Sequence, residues 1–344
     1  MSARVRMEEI AQHIGVSVAT VSLVLRDKPG ITDETRQRVI EAARKLGYRK
    51  LPQTDLVLPK RLQMVGMLNK TRGEDEPHTN QFYGPIIAGI DAACRQRQIN
   101  LLYATVPVDE DNHPLEVPRM LMNDELDGIL LVGTFVNSTI TRLMENRTVN
   151  AILIDAYAPG HNYDAVLTDN FHGAYEAVSY LVKCGHRHIG LVGSLPEAYP
   201  SILERRRGYL QALRDFGINQ PYFADGHILS KEAVEATLDL LQQQPQITAL
   251  FCCNDWIATR VIQAVPSIGR HVPKDLSIIG FDNIEIASHT IPGLTTMNID
   301  KISMGRRAVD LLASRSEFPD SASVSVILRP TLVERESVRK INND

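Results

Sequence analysis

Cysteine is scarce in this chain of 344 residues, and its four cysteines lack the spacing of a metal-binding or disulfide framework. Cys94, Cys184, Cys252 and Cys253 form no C-x-x-C pair and have no paired histidine ligands. Cys252 and Cys253 lie in an apolar stretch without a histidine nearby, which disfavours a nucleophilic role. This cysteine usage is typical of a protein kept in a reducing compartment.

Long hydrophobic runs and a cleavable leader are also missing. No stretch approaches the roughly 20 apolar residues that a membrane-spanning helix needs. Arg4 and Arg6 precede an apolar stretch, Ile14–Leu25, but Glu8 and Glu9 interrupt the approach and no small-residue cleavage site follows. We therefore expect a soluble cytoplasmic protein without a membrane partner.

Sequence motifs of the common enzyme classes are absent as well. The chain has no G-x-G-x-x-G, G-x-x-x-x-G-K, G-x-S-x-G or H-E-x-x-H segment. The triplet His186-Arg187-His188 has no cysteine or carboxylate partner in sequence, so we interpret its histidines as surface residues. The sequence therefore predicts no catalytic residue, no cofactor and no metal.

Charge is nearly balanced over the whole chain but unevenly distributed along it. The chain carries 37 basic and 41 acidic side chains, yet residues 1–50 carry ten basic and six acidic ones. The remainder carries 27 basic and 35 acidic side chains. A small cationic segment on a larger anionic body indicates a polyanionic partner for one end only. A chance fluctuation of surface charge is the alternative.

The first fifty residues have the periodicity of three short helices. Apolar residues recur at helical spacing over Met7–Leu25, and Gly15 interrupts them where a tight turn requires a positive φ. Ser17 is placed to cap the second helix and Thr32 the third, which we expect to end at Gly47. This arrangement is typical of a DNA-binding helix-turn-helix, whereas a plain helical hairpin is the alternative. The outward residues of the second helix are Ser17, Val18, Ala19, Thr20, Ser22 and Leu23.

The rest of the chain alternates β-branched runs with amphipathic helices, which predicts parallel sheets with helices on both faces. Three pairs of similar segments are separated by 124, 121 and 126 residues. These pairs are centred near Val65 and Ile189, Ile129 and Leu250, and Ile152 and Ile278. We therefore expect two doubly wound α/β halves, with a ligand between them at the carboxyl ends of both sets of strands.

Polar side chains cluster at those expected strand ends. They are Asp155, Asn254, Asp255, Asp282 and Asn283. Carboxylates and carboxamides together accept and donate hydrogen bonds, which suits a sugar or a polyol. Each residue taken singly is equally compatible with a cap on the helix that follows. Their repetition at equivalent strand ends favours a binding site.

Residues Arg6–Tyr48 resemble the headpiece of the LacI/GalR family of bacterial transcriptional repressors, most specifically in SVATVS (17–22) and LGY (46–48). The resemblance implies phosphate contacts by Ser17, Thr20 and Ser22. It implies contacts with base edges in the major groove by Val18, Ala19 and Leu23. Many relatives carry a long polar or basic residue in place of Leu23, and an apolar side chain there suits a thymine methyl group.

In this family, a short hinge helix after the headpiece places a leucine in the central minor groove. The present segment, Arg49–Gln63, has the right length but lacks the usual Ala-Ala-Arg-Ser-Leu pattern. Val57 falls at the wedging position, while Pro52 and Pro59 limit any helix to a turn or two. A hinge helix and a plain linker both stay open.

The resemblance continues through RRRGYLQALRDFGI (205–218), VPKDLSIIGFDN (272–283) and LRPTLVERESV (328–338). It implies a periplasmic-binding-protein-like core that dimerises and binds an effector. The implied effector contacts are Phe82, Tyr83, Asp155, Arg205, Asn254 and Asp282, with Asn170 and Asp255 as weaker candidates. The aromatic pair is expected to open the first core helix, and Arg205 to hold an anionic or hydroxyl group in a forked pair of hydrogen bonds.

Two features depart from the family pattern. We expect Asn69–Gln81 to form a loop at the cleft mouth that is longer than the usual one and is either a gate or solvated surface. Trp256, the only tryptophan, occupies a normally aliphatic position beside the cleft. We include Trp256 among the expected effector contacts.

These observations predict three domains: a helix-turn-helix over residues 1–50, a hinge or linker over 51–63 and an effector-binding core over 64–340. The core is expected to consist of an N-subdomain (about 64–168 and 296–328) and a C-subdomain (about 169–295 and 329–340).

The predicted function is that of a repressor that binds a palindromic operator as a homodimer and responds to a sugar or polyol. Purines, nucleosides and phosphorylated sugars stay open as effectors. A solute-binding protein or an enzyme on the same α/β scaffold is the alternative.

Overall fold

The computed structural model describes residues 5–25, 28, 30–46, 48, 62–71, 76–109, 114–122, 125–133, 149–158, 161–226 and 231–341. The chain divides into two compact units, Met1–Pro59 and Lys60–Asp344, which we call the headpiece and the core. Within the described ranges, no helix is long and apolar enough to cross a membrane. Gly47 and most of the expected linker, Val57 included, lie outside the described residues.

Three helices form the headpiece: α1 (Met7–Ile14), α2 (Val18–Leu25) and α3 (Asp33–Leu46). Gly15 follows α1 with a φ of 69°, in the left-handed region that glycine adopts without steric cost. The Ser17 hydroxyl accepts a hydrogen bond from the Thr20 amide at 3.0 Å and caps α2, and Thr32 caps α3 in the same way. The predicted helices and caps are confirmed.

The apolar faces of all three helices meet in the headpiece core. The buried residues are Ile10, Ala11, Val21, Val24, Leu25, Val39, Ile40, Ala42 and Ala43. Arg38 of α3 donates a hydrogen bond to the Ile14 carbonyl at 3.1 Å, which ties α3 to the end of α1. A domain this small buries limited apolar area, so such additional ties contribute to its stability.

The core contains two six-stranded sheets of matching order. The first sheet consists of β1 (Met64–Thr71), β2 (Asn100–Pro107), β3 (Gly128–Val132), β4 (Asn150–Ile154), β5 (Asp164–Thr168) and β11 (Ser325–Leu328). The second consists of β6 (Ile189–Val192), β7 (Tyr222–Ala224), β8 (Ala249–Cys252), β9 (Ser277–Asp282), β10 (Thr295–Asn298) and β12 (Thr331–Val333). The orders are β11-β5-β4-β3-β1-β2 and β12-β10-β9-β8-β6-β7, and only the β10–β12 pair is antiparallel among these strands.

The repeats found in the sequence occupy equivalent places in the two sheets. β1, β3 and β4 of the first sheet correspond to β6, β8 and β9 of the second. The predicted pair of doubly wound parallel sheets is therefore confirmed. The sequence analysis missed β5, β7, β10, β11 and β12, each of which has three to five residues and too few alternations to reveal a period.

Six helices complete the described core: α4 (Glu76–Arg97), α5 (Asn170–Lys183), α6 (Pro200–Asp215), α7 (Lys231–Gln243), α8 (Asp255–Ala264) and α9 (Lys301–Glu317). Helices α4 and α9 pack together on the first sheet. Their close crossing requires glycine, since a Cβ atom at Gly305 would lie 2.1 Å from the Ile86 carbonyl oxygen. Helices α5 and α6 pack on one face of the second sheet, and α7 and α8 on the other.

The chain passes between the two sheets three times: from β5 to α5, from β10 to α9 and from β11 to β12. We call residues 62–168 and 299–328 the first lobe, and residues 169–298 and 329–341 the second lobe. The expected subdomain border between 295 and 296 falls at the start of β10. It needs correction, because β10 pairs with β9 and β12 and the crossing therefore follows Asn298.

The expected loop Asn69–Gln81 is largely regular structure. β1 continues to Thr71, and α4 begins at Glu76 with a proline in its first turn, where a missing amide donor costs nothing. Phe82 and Tyr83 therefore lie inside α4 and do not open it. Both expectations were wrong because the polar ends of β1 and α4 were interpreted as loop.

Candidate effector site and DNA-binding helix

Arg205 is the centre of the candidate site in the second lobe. Its Nε donates to Asn170 Oδ1 at 2.8 Å, its Nη2 to Asp282 Oδ1 at 3.1 Å and its Nη1 to the Cys253 carbonyl. The guanidinium also stacks on Phe281, with Cζ 3.8 Å from the ring centroid. Three of its five N–H donors are used in these bonds, and within the described residues the other two are available to a ligand.

Asp282 ends β9 in an unusual backbone conformation. Asp282 and Asn283 have φ values of 105° and 49°, a region that costs a non-glycine residue about 1 to 3 kcal/mol. Burial raises the pKa of Asp282, while the charges of Arg205 and Lys301 oppose that shift. Asn283 Oδ1 accepts from Arg335 Nη2 at 2.8 Å, which also holds this turn. Strain of this kind is concentrated at ligand sites.

Asn254 and Asp255, which follow β8, serve the fold directly. Asn254 Oδ1 accepts at 2.9 Å from a backbone amide in the first turn of α8, so the capping alternative is confirmed for this oxygen. The fully buried Asp255 accepts from the Ile284 amide at 2.9 Å and from the Thr296 hydroxyl at 2.5 Å. Burial, with the nearby charge of Asp282, raises the pKa of Asp255 to about 8. Asp255 therefore fixes the loop after β9.

The first lobe contributes Phe82, Tyr83 and Asp155, which are half-buried. The Tyr83 hydroxyl donates to Asp155 Oδ2 at 3.2 Å, and the two aromatic rings meet edge to face with centroids 5.0 Å apart. Burial raises the pKa of Asp155 to about 6; the charge of Arg205 opposes this shift and that of Asp282 adds to it. Asp155 therefore lies within electrostatic reach of the Arg205–Asp282 pair, so the two lobes contribute to one site.

Asn170 was expected only as a weaker effector contact, and Lys70 and Tyr199 were not among the expected contacts. Asn170 is buried at the start of α5 and accepts directly from Arg205. Lys70 of the first lobe places Nζ 5.0 Å from the ring centroid of Tyr199 in the second lobe. The available signal was position, since Lys70 lies shortly after the repeated segment near Val65, where the sequence predicts a strand. This contact joins the two lobes beside the candidate site.

Three buried polar atoms near the strand ends have no hydrogen-bond partner among the described residues: Asn69 Oδ1, Thr168 Oγ1 and Ser194 Oγ. Asn69 and Thr168 lie at the carboxyl ends of β1 and β5, and Ser194 lies two residues beyond β6. Buried polar atoms in native proteins are generally paired with protein, water or ligand. Each of these atoms can therefore accept a hydrogen bond from a water molecule or a ligand that reaches it.

Trp256 is half-buried in the first turn of α8, between the buried residues Asp255 and Ile257. Its carbonyl accepts a hydrogen bond from Thr259 at 2.8 Å. Its role as an effector contact stays a prediction.

His186 is not the surface residue that the sequence suggested. It is fully buried, with Nδ1 2.9 Å from Thr248 Oγ1 and Nε2 3.1 Å from the Arg339 carbonyl, and burial lowers its pKa to about 4. No group of three metal-ligating side chains occurs within the described part of the chain. The neutral imidazole therefore serves the packing between β8 and the C-terminal segment.

Helix α2 turns one face away from the headpiece core, and this face carries the predicted DNA-binding residues. Val18 and Leu23 are 41% and 40% exposed, whereas Val21 on the opposite face is fully buried. The hydroxyl groups of Ser17 and Thr20 lie 2.8 Å apart at the start of the helix. A helix with polar groups at its start and apolar side chains on its outer face suits a major groove that displays thymine methyl groups.

Two parts of the chain match described families. Residues 6–50 match bacterial regulatory proteins of the lacI family, and residues 178–338 match the periplasmic binding protein-like domain. The ribose operon repressor of Haemophilus influenzae is 29% identical over 337 residues, which cover 96% of this chain and 98% of that protein. The HTH-type transcriptional repressor PurR of Mannheimia succiniciproducens is 29% identical over 341 residues, which cover 97% and 99%.

Solved structures show the same architecture. A complex of the transcriptional regulator CelR with cellobiose has a TM-score of 0.69 at 25% identity and covers 97% of this chain and 100% of that one. A LacI family transcriptional regulator from Enterococcus faecium with bound ribose has a TM-score of 0.68 at 23% identity and covers 81% and 100%. These matches define a DNA-binding transcriptional regulator and not an enzyme. The chain therefore carries a lacI-family DNA-binding domain followed by a periplasmic binding protein-like domain.

Proposed function

We propose that this protein is a cytoplasmic repressor that binds a palindromic operator as a homodimer and is controlled by a small polyhydroxylated metabolite. The observation that carries the metabolite site is the convergence of two pairs, Tyr83–Asp155 from the first lobe and Arg205–Asp282 from the second. A ligand that binds both pairs contacts both lobes at once. Such a ligand favours one angle between the lobes over the others.

The chemistry of these pairs fits a sugar. Asp155 and Asp282 accept hydrogen bonds from hydroxyl groups, and the remaining N–H groups of Arg205 donate to hydroxyl oxygens. Phe82 offers an aromatic ring for the apolar face of a sugar ring. Similar proteins whose structures hold ribose or cellobiose support this choice.

The headpiece supplies the DNA contacts in this proposal. Ser17, Thr20 and Ser22 bind phosphates, whereas Val18, Ala19 and Leu23 meet base edges. Dimerisation joins two weak half-site contacts at a fixed spacing, so a change in lobe angle alters the fit of both headpieces together. A coupling free energy of about 1 to 3 kcal/mol is sufficient for a five- to 150-fold change in operator affinity.

The test is fluorescence anisotropy of a labelled DNA fragment from the upstream region of the gene, titrated with the full-length protein at low salt. We expect the protein to bind the fragment. The Kd of this complex should change at least about fivefold when D-ribose, D-glucose, sucrose or cellobiose saturates the protein. Thermal unfolding with the same four sugars identifies the binder, since a ligand that binds the native state raises Tm.

Thr20→Glu provides the matched control. The added carboxylate repels DNA phosphates, so this variant should lose operator binding and keep the sugar-induced rise in Tm. Absence of complex formation with any upstream fragment contradicts the repressor proposal, whereas DNA binding without a response to the four sugars contradicts only the effector class.

A further inference from the structure

Lys301 begins α9 in the first lobe, but its side chain lies against the second lobe. The residue is 8% exposed. Its Nζ donates to the carbonyl oxygens of Ile299 at 3.2 Å, Asn283 at 3.3 Å and Asp282. An ammonium group has three N–H donors, and these three carbonyls occupy all of them.

A lysine is costly at this position. Burial lowers the pKa of Lys301, because water no longer solvates its charge. The positive end of the α9 dipole adds repulsion, since cations are favoured at the C-terminus of a helix and disfavoured at its N-terminus. Lys301 forms no direct ion pair in the described part of the chain, although the charges of Asp282, Asp255 and Asp300 favour its charged form. The contacts that the ammonium makes must therefore offset these costs.

Those contacts hold the strained turn after β9. Two of the three carbonyl acceptors belong to Asp282 and Asn283, the consecutive residues with φ of 105° and 49°. Such backbone persists only where its surroundings fix it. Lys301 Nζ also lies 5.9 Å from the ring centroid of Phe82, so the same group approaches the aromatic side of the candidate site.

We propose that Lys301 is a positioning residue: it fixes the backbone of Asp282 so that the carboxylate faces Arg205 and the effector. Its effect on effector binding rests on the proposed function. Its effect on the Arg205–Asp282 pair does not, because that pair is present in the protein itself.

The direct test compares crystal structures of the wild-type protein and Lys301→Met, which keeps the side-chain length and removes the donors. We expect the bond between Arg205 Nη2 and Asp282 Oδ1, 3.1 Å here, to be broken in the variant. An unchanged bond overturns the proposal. Lys301→Leu, which also removes the donors, replaces the methionine variant if the latter does not fold.

A double-mutant cycle separates positioning from general packing. For the sugar that raises Tm most among D-ribose, D-glucose, sucrose and cellobiose, Lys301→Met should weaken binding about tenfold in calorimetry. Asp282→Asn should weaken it at least as much, and the double variant should bind no more weakly than Asp282→Asn alone. If the losses of sugar affinity in the two single variants multiply in the double variant, the two residues act independently and the proposal is overturned.

Lys274→Met is the matched control, since Lys274 is exposed and should leave sugar affinity unchanged. If the wild-type protein binds none of the four sugars, the proposed effector class fails, while the crystallographic comparison still decides the role of Lys301.

Discussion

The two lobes share one strand order but build their halves of the site differently. In the second lobe, the side chains of Arg205 and Asp282 are 6% and 12% exposed, and Arg205 makes three hydrogen bonds. In the first lobe, Tyr83 and Asp155 are half-buried and share one hydrogen bond of 3.2 Å. The repeated scaffold therefore fixes where a site forms, while the local side chains decide how rigid each half is.

The first lobe has a buried arginine pair of its own, located elsewhere. Arg315 binds Asp164 through Nε at 2.7 Å and Nη2 at 2.8 Å. Asp164 begins β5, so this pair lies at the amino end of the strand, away from the candidate site. An arginine–aspartate pair thus lies in the candidate ligand site of one lobe and beside β11 in the other, where Asp164 also accepts from the Val324 amide at 2.7 Å.

Removing the two arginines gives the largest expected effects and tests this difference directly. Arg205→Ala and Arg315→Ala each leave a buried carboxylate unpaired, so each should lower the free energy of unfolding by about 3 to 5 kcal/mol in urea titrations. Only Arg205→Ala should also abolish sugar binding in calorimetry. Loss of sugar affinity in both variants would show that the lobes do not divide these roles.

Arg207→Ala controls for the loss of charge on α6. Arg207 lies two residues from Arg205 but its side chain is 69% exposed and pairs with Glu204 at the surface. Such pairs contribute about 0 to 1 kcal/mol, so stability and sugar affinity should both stay close to the wild-type values.

The buried carboxylates should give the two lobes different pH dependences. The pKa of Asp255 is raised from 3.8 to about 8 in the folded protein, so the folded state binds its proton more tightly than the unfolded state does. Stability from this group is present at low pH and is lost as pH rises from about 4 to about 8. In the Asp255→Asn variant this position cannot ionise, so the variant does not lose stability in this way as pH rises.

We therefore expect the free energy of unfolding of Asp255→Asn, relative to wild type, to rise by about 1 kcal/mol or more between pH 5 and pH 8. Asp155→Asn in the first lobe should show a smaller rise that is complete near pH 6. Titration of His186 affects variants and wild type alike and cancels. Parallel pH profiles for Asp255→Asn and wild type would contradict the assignment of a protonated, buried Asp255.

Tyr83→Phe tests the looser half of the site. The change removes the single hydrogen bond to Asp155 and keeps the ring, so calorimetry should show about fivefold weaker sugar binding with little change in Tm. Tyr103→Phe, at an exposed tyrosine on β2, is the control and should change neither quantity. A loss of sugar affinity as large as that of Arg205→Ala would mean that both halves of the candidate site are equally rigid.

Trp256 should report the smallest effect. As the only tryptophan, it gives an emission spectrum that can be assigned without further labelling. Saturation with the bound sugar should shift or quench this emission, because Trp256 lies in the first turn of α8, directly after Asn254 and Asp255. An unchanged spectrum at saturation would remove Trp256 from the expected effector contacts.

Local patterns were sufficient to predict the headpiece and the repeated core. Gly15 and the helical spacing around it defined α1 and α2, and the offset repeats defined equivalent strands in both sheets. The start of α4 and the short edge strands were predicted poorly; the edge strands β7 and β12 have only three residues each. Strand pairing, which determines such elements, depends on residues far apart in the sequence.

Long-range contacts also explain which site residues were missed. Asn170, 35 positions before Arg205, meets it only because α5 and α6 pack together. Lys301 and His186 have no sequence signal of burial, since lysine and histidine are common at surfaces. Their partners at Asp282 and Arg339 come from other strands and segments of the fold.

The three crossings between the lobes have a consequence for any shortened form of the protein. β11 and β12 come last in the chain, and each is an edge strand of a different sheet. A chain that ends shortly before Ser325, after a nonsense codon or a protease cut, would therefore lack one edge strand in each lobe. No single cut would release an intact lobe. Loss of the segment that starts at Ser325 should accordingly damage both lobes together and should not leave one lobe intact beside a damaged one.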